Sequence, residues 1–162
     1  MTRLAFLSSA CAADGVAVVS PLRHATEPGV DDVSHLGKVE LRSPPGSFEP
    51  AAGEELLRLS PSLALLVVDG SPVPALDRLA QAAVRAYDMT AALAAFELRG
   101  EDALRRLTEL DPATFPAVGS IARGTRAIFD AREGGRYRIF VPQELGHYVA
   151  EVAADVLRGL GR

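Results

Sequence analysis

The chain has 162 residues, of which 48% are hydrophobic and 23% charged, so it is long enough to bury a core and too apolar to be disordered. Its formal net charge of −4 disfavours nucleic acid as a partner, because phosphate binding needs a basic surface. The single cysteine, Cys11, excludes an internal disulfide and a cysteine-rich zinc site. No stretch approaches the ~20 apolar residues of a membrane-spanning helix, and the apolar run near the N-terminus is too short for an export signal. We therefore expect one cytoplasmic domain over residues 1–162 that contacts neither membrane nor nucleic acid.

The first half of the chain has the pattern of strands followed by a helix. An extended segment over 14–30 leads into a strand over 32–42, and the Pro/Gly-rich run over 43–55 is typical of a loop. Two short strands follow at Glu55–Leu59 and Leu63–Val68. After Ser71 and Pro72 the spacing becomes helical, with one apolar stripe made of Leu76, Leu79, Ala80, Ala83, Val84 and Tyr87.

The second half alternates strands and helices. The pattern predicts a strand over 88–100, a helix over 101–110, and strands over 119–130 and 136–141 joined by a Gly-Gly turn. A last helix carries the clearest apolar stripe, made of Leu145, Tyr148, Val149, Val152, Ala153, Val156, Leu157 and Leu160. This order of elements predicts an α+β fold with an antiparallel sheet.

A weak internal repeat links the two halves. The segment "DVSHLGKVELRS" from Asp32 and the segment "DMTAALAAFELRG" from Asp88 align with a single-residue insertion. The alignment pairs Asp32 with Asp88, Ser34 with Thr90, and the Glu-Leu-Arg run ending at Arg42 with the one ending at Arg99. Chance similarity is the alternative, since strands with alternating apolar residues resemble each other. A duplication would divide the chain into half-units of roughly 20–87 and 88–162.

Two stretches resemble a known family. "DVSHLGKVELRS" resembles the Asp-Val-Ser-His-Met-Gly strand of the aminomethyltransferases of the glycine cleavage system. The order of "YDMTAALAAFELRGEDALRRLTELDP", a Phe-Pro pair and "GSIARGTRAIFDAREGGRYRIFVPQELGHYVAEVAADVL" resembles the γ subunit of heterotetrameric sarcosine oxidase. The resemblance covers roughly residues 20–160 and implies the folate-binding fold, in which two intertwined β/α halves carry antiparallel sheets.

The resemblance also implies partners and cofactors. In that family the γ subunit assembles with larger flavin- and nucleotide-binding subunits and with a small zinc-binding subunit. FAD, FMN, NAD and tetrahydrofolate reside in those other subunits. The complex oxidatively demethylates N-methyl amines such as sarcosine, with folate as the one-carbon acceptor. A subunit of this kind should expose an apolar patch, which we expect in the N-terminal segment or in the loop over 43–55.

The chain departs from the aminomethyltransferases where their catalysis takes place. They are about twice this length and carry an aspartate pair in a turn of the first half. Here the corresponding run, "LLVVDGSPVP", offers only Asp69 in a Gly/Pro turn. The resemblance therefore implies a subunit without catalytic residues. Two alternatives stay open: a free-standing protein that binds tetrahydrofolate or another small heterocycle, and a small enzyme with Asp32, His35 or Asp69 as acid–base groups.

Four residues are candidates for ligand binding. His35 follows Ser34, but neighbouring side chains of a strand point to opposite faces, so a serine–histidine catalytic pair is disfavoured. Asp69 precedes a glycine and is either a turn residue or a general base. Arg123 and Arg138 lie on strands expected to pair, where they could bind an acidic partner or the glutamate tail of folate. The three histidines lack metal-ligand spacing, so we expect no metal site.

Overall fold

The computed structural model describes residues 20–22, 28–43 and 48–161. Most of the segment over 14–30 and residues 44–47 of the loop over 43–55 lie outside the described residues, so the apolar patch expected in these stretches stays a prediction. The described part contains nine strands: β1 Val30–Asp32, β2 Gly37–Arg42, β3 Glu54–Ser60, β4 Leu63–Val68, β5 Arg85–Asp88, β6 Leu93–Arg99, β7 Ala117–Ile121, β8 Thr125–Arg132 and β9 Arg136–Pro142. It also contains three α-helices: α1 Val73–Gln81, α2 Glu101–Leu107 and α3 Gln143–Gly159.

The strands form two antiparallel sheets. The small sheet has the order β3-β4-β2-β5, and the large sheet has the order β1-β6-β9-β8-β7. Both are antiparallel at every described pairing, so the predicted α+β class with antiparallel strands is confirmed.

The sheets pack face to face, with helices on both outer faces. Alternate residues of β2 show why: Val39 and Leu41 pack with Leu79 of α1, whereas Lys38 and Glu40 lie on the opposite face. The outer face of the large sheet packs against α2 and α3 in the largest core cluster. Between the sheets lies a third apolar cluster, made of Leu36, Leu57, Leu65, Val67, Ala95 and Phe140.

Several predicted elements are interrupted by turns. The strand expected over 32–42 is two strands separated by a turn, and the strand expected over 119–130 is split into β7 and β8. In the second case three consecutive residues, Ala122, Arg123 and Gly124, have positive φ, which reverses the chain where the sequence carries only one glycine. An alternating apolar pattern does not reveal a tight turn of this kind.

The helix predicted through Tyr87 ends at Gln81. Ala83 has a φ of 54°, in the left-handed region that ends helices, and the chain then enters β5. Val84 still packs beside α1, but it does so from the strand side, and Tyr87 is exposed. The predicted helical stripe was therefore wrong beyond Gln81.

The buried face of α3 is made of smaller residues than predicted. It consists of Gly146, Val149, Ala150, Ala153, Ala154 and Leu157, whereas Leu145 and Tyr148 are exposed. A Cβ on Gly146 would lie 2.6 Å from the Cβ of Ala94, so the first turn of α3 runs close to β6. Close approach selects small side chains on this face.

Candidate functional site

The two repeated segments form the same turn. The Asp32 Oδ1 accepts a hydrogen bond from the backbone N–H of Ser34 at 2.9 Å, and the Asp88 Oδ1 accepts one from the N–H of Thr90 at 2.9 Å. A short acidic side chain that binds the backbone two residues on stabilises a tight turn. The shared aspartate therefore serves chain reversal, which leaves Asp32 with a structural role.

The hydroxyls that follow these aspartates join the two copies. The Ser34 Oγ accepts the N–H of Ala95 at 3.0 Å, and the Thr90 Oγ1 accepts the N–H of Lys38 at 3.0 Å. Ala95 and Lys38 occupy aligned positions of the repeat, so the two contacts are equivalent. The Ser34 hydroxyl also donates to the carbonyl oxygen of Ala95 at 3.1 Å, which engages it with the backbone of β6.

The two strands that end at these aspartates, β1 and β5, each pair with a strand of the other repeated segment. β1 pairs with β6, with Asp32 opposite Phe96, and β5 pairs with β2, with Asp88 opposite Val39. Phe96 and Val39 are again aligned positions. Each repeated segment thus contributes one strand to the sheet that holds the other segment. The half-unit boundaries at 20–87 and 88–162 stay a prediction.

Lys38 lies at the junction of the two turns and is fully buried. Its Nζ donates to the carbonyl oxygens of Ser34 at 2.9 Å and Thr90 at 3.3 Å. Burial lowers the pKa of Lys38 to about 8, although the charges of Asp88 and Asp32 act in the opposite direction. The aligned position in the other copy is Ala95, so this amine marks a difference between the two halves.

A cavity of about 560 Å³ adjoins this junction, and we call it the central cavity. It is lined by both turns and by the starts of α1 and α3, through residues that include Ser34, His35, Pro72, Asp88, Thr90 and Gln143. Its size lies within the range of small-molecule sites.

A network of charged side chains closes one end of the space between the sheets. Arg138 pairs with Glu97 at 3.1 Å, and both side chains are more than nine-tenths buried. Arg138 also donates to Glu55 of the small sheet at 2.7 Å, and Arg132 donates to both carboxylate oxygens of Glu55 at 2.6 and 2.8 Å. Arg–carboxylate pairs of this geometry are directional, so the network fixes the relative position of the sheets.

The pKa values of two carboxyl groups in this network, those of Glu55 and Asp130, are shifted in opposite directions. At Glu55, burial acts to raise the pKa, but the hydrogen bonds and charges of Arg132 and Arg138 together lower it. At Asp130, burial prevails over the same two arginines and raises the pKa. Asp130 is bound to Arg132 at 3.3 Å, so the network still holds this carboxyl group in place.

Three of the four predicted site residues lie together. His35, Asp69 and Arg138 line a cavity of about 300 Å³ with Glu55, and we call it the seam cavity. Arg123 lies elsewhere, in the turn between β7 and β8, where it lines a groove with residues at the end of α2. The expected proximity of Arg123 to Arg138 was therefore wrong, because the turn at 122–124 carries Arg123 away from β9.

Two features of the site were not predicted from the sequence: the carboxylates that hold the seam and the role of Lys38. Glu97 was recognised only as part of the repeat, and Glu55 only as a strand end. A signal was present for Lys38, because it is the only lysine beside sixteen arginines and it lies within an apolar strand.

Within the described residues no group of three His, Cys, Asp or Glu side chains is placed to hold a metal ion. None of the helices in residues 20–22, 28–43 and 48–161 is long and apolar enough to cross a membrane.

These features define the class of protein: an α+β chain of two stacked antiparallel sheets, joined by reciprocal turn contacts and by a charged seam. No protein-family model matches the sequence, and no curated protein matches it. The fold does match a solved structure, a chain of the heterotetrameric sarcosine oxidase from Corynebacterium sp. U-96 in complex with pyrrole 2-carboxylate.

The match spans nearly all of both chains. It covers 89% of this chain and 96% of that one, with a TM-score of 0.72 and 18% sequence identity. At this identity the likeness shows a shared fold. The predicted resemblance to heterotetrameric sarcosine oxidase is confirmed at that level.

Proposed function

We propose that this chain is a non-catalytic accessory subunit of a heterotetrameric flavoenzyme of the sarcosine oxidase kind. The observation that carries the proposal is the extent of the fold match, since two chains of similar length superpose over 89% and 96% of their residues. The matched chain comes from a heterotetrameric enzyme. The corresponding position in such a complex is that of the γ subunit, with the folate-binding fold of two β/α halves.

The proposal assigns the chemistry to other chains. Larger subunits would bind FAD, FMN, NAD and tetrahydrofolate and would oxidatively demethylate N-methyl amines in the cytoplasm. A small subunit would bind zinc. This chain would contribute contact surface and rigidity. Large apolar side chains that are exposed in the described part, and so available for contact, are Val73, Tyr87, Leu145 and Tyr148.

The state of the polar groups supports a role without catalysis. The Ser34 hydroxyl is hydrogen-bonded to backbone on both its donor and acceptor sides. Asp32 and Asp88 bind the backbone of their own turns, and Glu55 and Glu97 are paired with arginines. General acid–base catalysis needs a group free to contact the reacting atoms, and these groups are engaged in holding the fold.

The test is co-expression of this chain with the large flavin- and nucleotide-binding chains and the small zinc-binding chain of a heterotetrameric sarcosine oxidase. We expect a stable complex with flavin absorbance and sarcosine-dependent oxygen consumption. Omitting this chain should lower the yield and thermal stability of the complex. His35→Ala and Asp69→Asn should leave the turnover number of the assembled enzyme unchanged. Full assembly and activity without the chain, or turnover by the isolated chain that Asp69→Asn abolishes, would contradict the proposal.

One observation favours a second candidate function, a free-standing protein that binds tetrahydrofolate or another small heterocycle. The central cavity, of about 560 Å³, lies where the two repeated turns meet and offers hydroxyl, imidazole and carboxylate groups. Calorimetric titration of the isolated chain with tetrahydrofolate tests this function. Saturable binding that His35→Ala weakens would support it, and the absence of heat at millimolar tetrahydrofolate would exclude it.

A further inference from the structure

The two ends of the space between the sheets differ. At one end the charged network of Glu55, Glu97 and Arg138 closes the seam. At the other end the sheets leave an open cleft of about 300 Å³, which we call the inter-sheet cleft. It is lined from the small sheet by β2, β3 and β4 and from the large sheet by β6, β7, β8 and β9.

The walls of the inter-sheet cleft are apolar and incompletely covered. Leu65 and Phe140 are buried in the cluster between the sheets. Around them lie half-buried side chains that a closed sandwich would have covered: Leu59, Leu63, Leu93, Val118, Ile128 and Pro142. Small-molecule sites are concave, mostly apolar and equipped with a few polar groups that orient the ligand.

The polar groups at this cleft favour an anion. Arg126 is exposed at the start of β8 and lines the cleft, and within the described residues no hydrogen bond or ion pair engages its guanidinium group. Glu40 and Arg42 also line it, but they neutralise each other through a contact of 2.7 Å. The charge left over at the cleft is therefore the single positive charge of Arg126.

We propose that the inter-sheet cleft binds a small amphipathic monocarboxylate, with its apolar part between the sheets and its carboxylate on Arg126. One planar guanidinium group matches one carboxylate through two parallel hydrogen bonds. A phosphate or a dicarboxylate would need a second unpaired cation, whereas the other arginine at the cleft, Arg42, is paired with Glu40. This inference goes beyond the proposed function and does not depend on it.

The test uses the full chain and octanoate as the probe, with octan-1-ol and octylamine as neutral and cationic controls. Binding is followed by calorimetry and by the methyl NMR signals of Val118 and Ile128. We expect octanoate to bind at least tenfold more tightly than octan-1-ol. Because a hydrogen bond to a charged group is worth roughly a tenfold affinity change or more, Arg126→Gln should remove this advantage and leave octan-1-ol binding unchanged.

Two further variants make the result decisive. Arg123→Gln removes an exposed arginine of the same hairpin that lies outside the cleft, and it should change octanoate affinity less than twofold. Val118→Phe should fill the cleft and abolish binding of both probes, with circular dichroism as the check on folding. The proposal is overturned if octanoate fails to bind at millimolar concentration or binds no better than octan-1-ol. It is also overturned if octanoate binds equally well to the Arg126→Gln variant or shifts signals only around the central cavity.

Discussion

Ser34 and Thr90 make the same contact on opposite sides of one junction. Each hydroxyl oxygen accepts, at 3.0 Å, the N–H of a buried residue in the sheet that holds the other repeated segment. The strands just before them, β1 and β5, pair with those same sheets. The two segments therefore hold each other, because the strand that leads into each segment belongs to the sheet of the other segment.

This relationship predicts a matched loss of stability at the two positions. Ser34→Ala and Thr90→Val each leave a buried N–H without its acceptor, which costs about 1–3 kcal/mol of unfolding free energy. Urea unfolding followed by circular dichroism measures the change. Ser120→Ala removes an exposed hydroxyl for which the described residues show no hydrogen bond, and it should change stability by less than ~0.5 kcal/mol. Equal losses of unfolding free energy for all three substitutions would show that the Ser34 and Thr90 hydrogen bonds stabilise the fold no more than an exposed hydroxyl does.

A second prediction concerns the titration of Lys38. Its pKa is lowered to about 8 from 10.5 because the amine is buried. Since it is the only lysine, a ¹³Cε-lysine label gives one signal whose chemical shift reports this pKa directly. We expect a titration midpoint near 8 in the folded chain and near 10.5 in urea. A folded midpoint near 10.5 would show that the ammonium group is solvated.

The lowered pKa also sets how stability depends on pH. Between about 8 and 10.5 the unfolded chain binds the lysine proton and the folded chain does not, so the free energy of unfolding rises with pH across this window. Below pH 8 the folded state holds the charged amine at a cost on the order of 3 kcal/mol, taking ~1.4 kcal/mol for each pKa unit. The Lys38→Met variant should lack this rise, which urea unfolding at pH 7, 9 and 10.5 would reveal.

The fold class was predictable because strands, helices and turns leave local patterns in the sequence. Short apolar runs separated by a Ser-Pro-Ser turn identified β3 and β4, and the shared Asp, Ser/Thr and Glu-Leu-Arg positions identified two segments that the structure brings into contact. The turn after Ala122 and the end of α1 at Gln81 were missed, because both depend on non-glycine residues with positive φ, which no composition signal reveals.

The candidate site was predictable only in part. His35, Asp69 and Arg138 stood out by residue type, and the structure places all three at the seam cavity. Glu55 and Glu97 did not stand out, because a carboxylate on a strand is usually solvated and only tertiary packing pairs it with Arg138. The inter-sheet cleft depends on how far two sheets separate, and no stretch of sequence encodes that distance by itself.

A third prediction concerns the close approach at the start of β2. A Cβ added at Gly37 would lie 2.5 Å from the Val68 Cγ2 and 2.6 Å from the backbone carbonyl oxygen of Gly70. Gly37→Ala should therefore destabilise the fold by about 1–3 kcal/mol through overpacking. At Gly159, near the end of α3, an added Cβ would meet nothing within 4 Å, so Gly159→Ala should be neutral or stabilising by up to ~1 kcal/mol. Thermal unfolding of the two variants separates these outcomes, and similar melting temperatures would contradict the prediction.

The last prediction concerns the charged seam. Arg138→Met removes the guanidinium group that neutralises the buried Glu97 and leaves Arg136, at 3.1 Å, as the remaining described cation bound to it. Breaking a buried ion pair from one side costs about 3–5 kcal/mol when the other charge is left unpaired, so with Arg136 still bound to Glu97 we expect the lower end of that range. Arg99→Met is the matched control, since its pair with Asp31 joins neighbouring strands but is about half exposed, and its loss should cost at most ~1 kcal/mol.

Replacing both partners, as in Glu97→Leu with Arg138→Met, should recover much of the loss, since no buried charge then remains at that pair. Urea unfolding measures all four chains, and a cost for Arg138→Met no larger than that for Arg99→Met would show that the seam does not hold the sheets together.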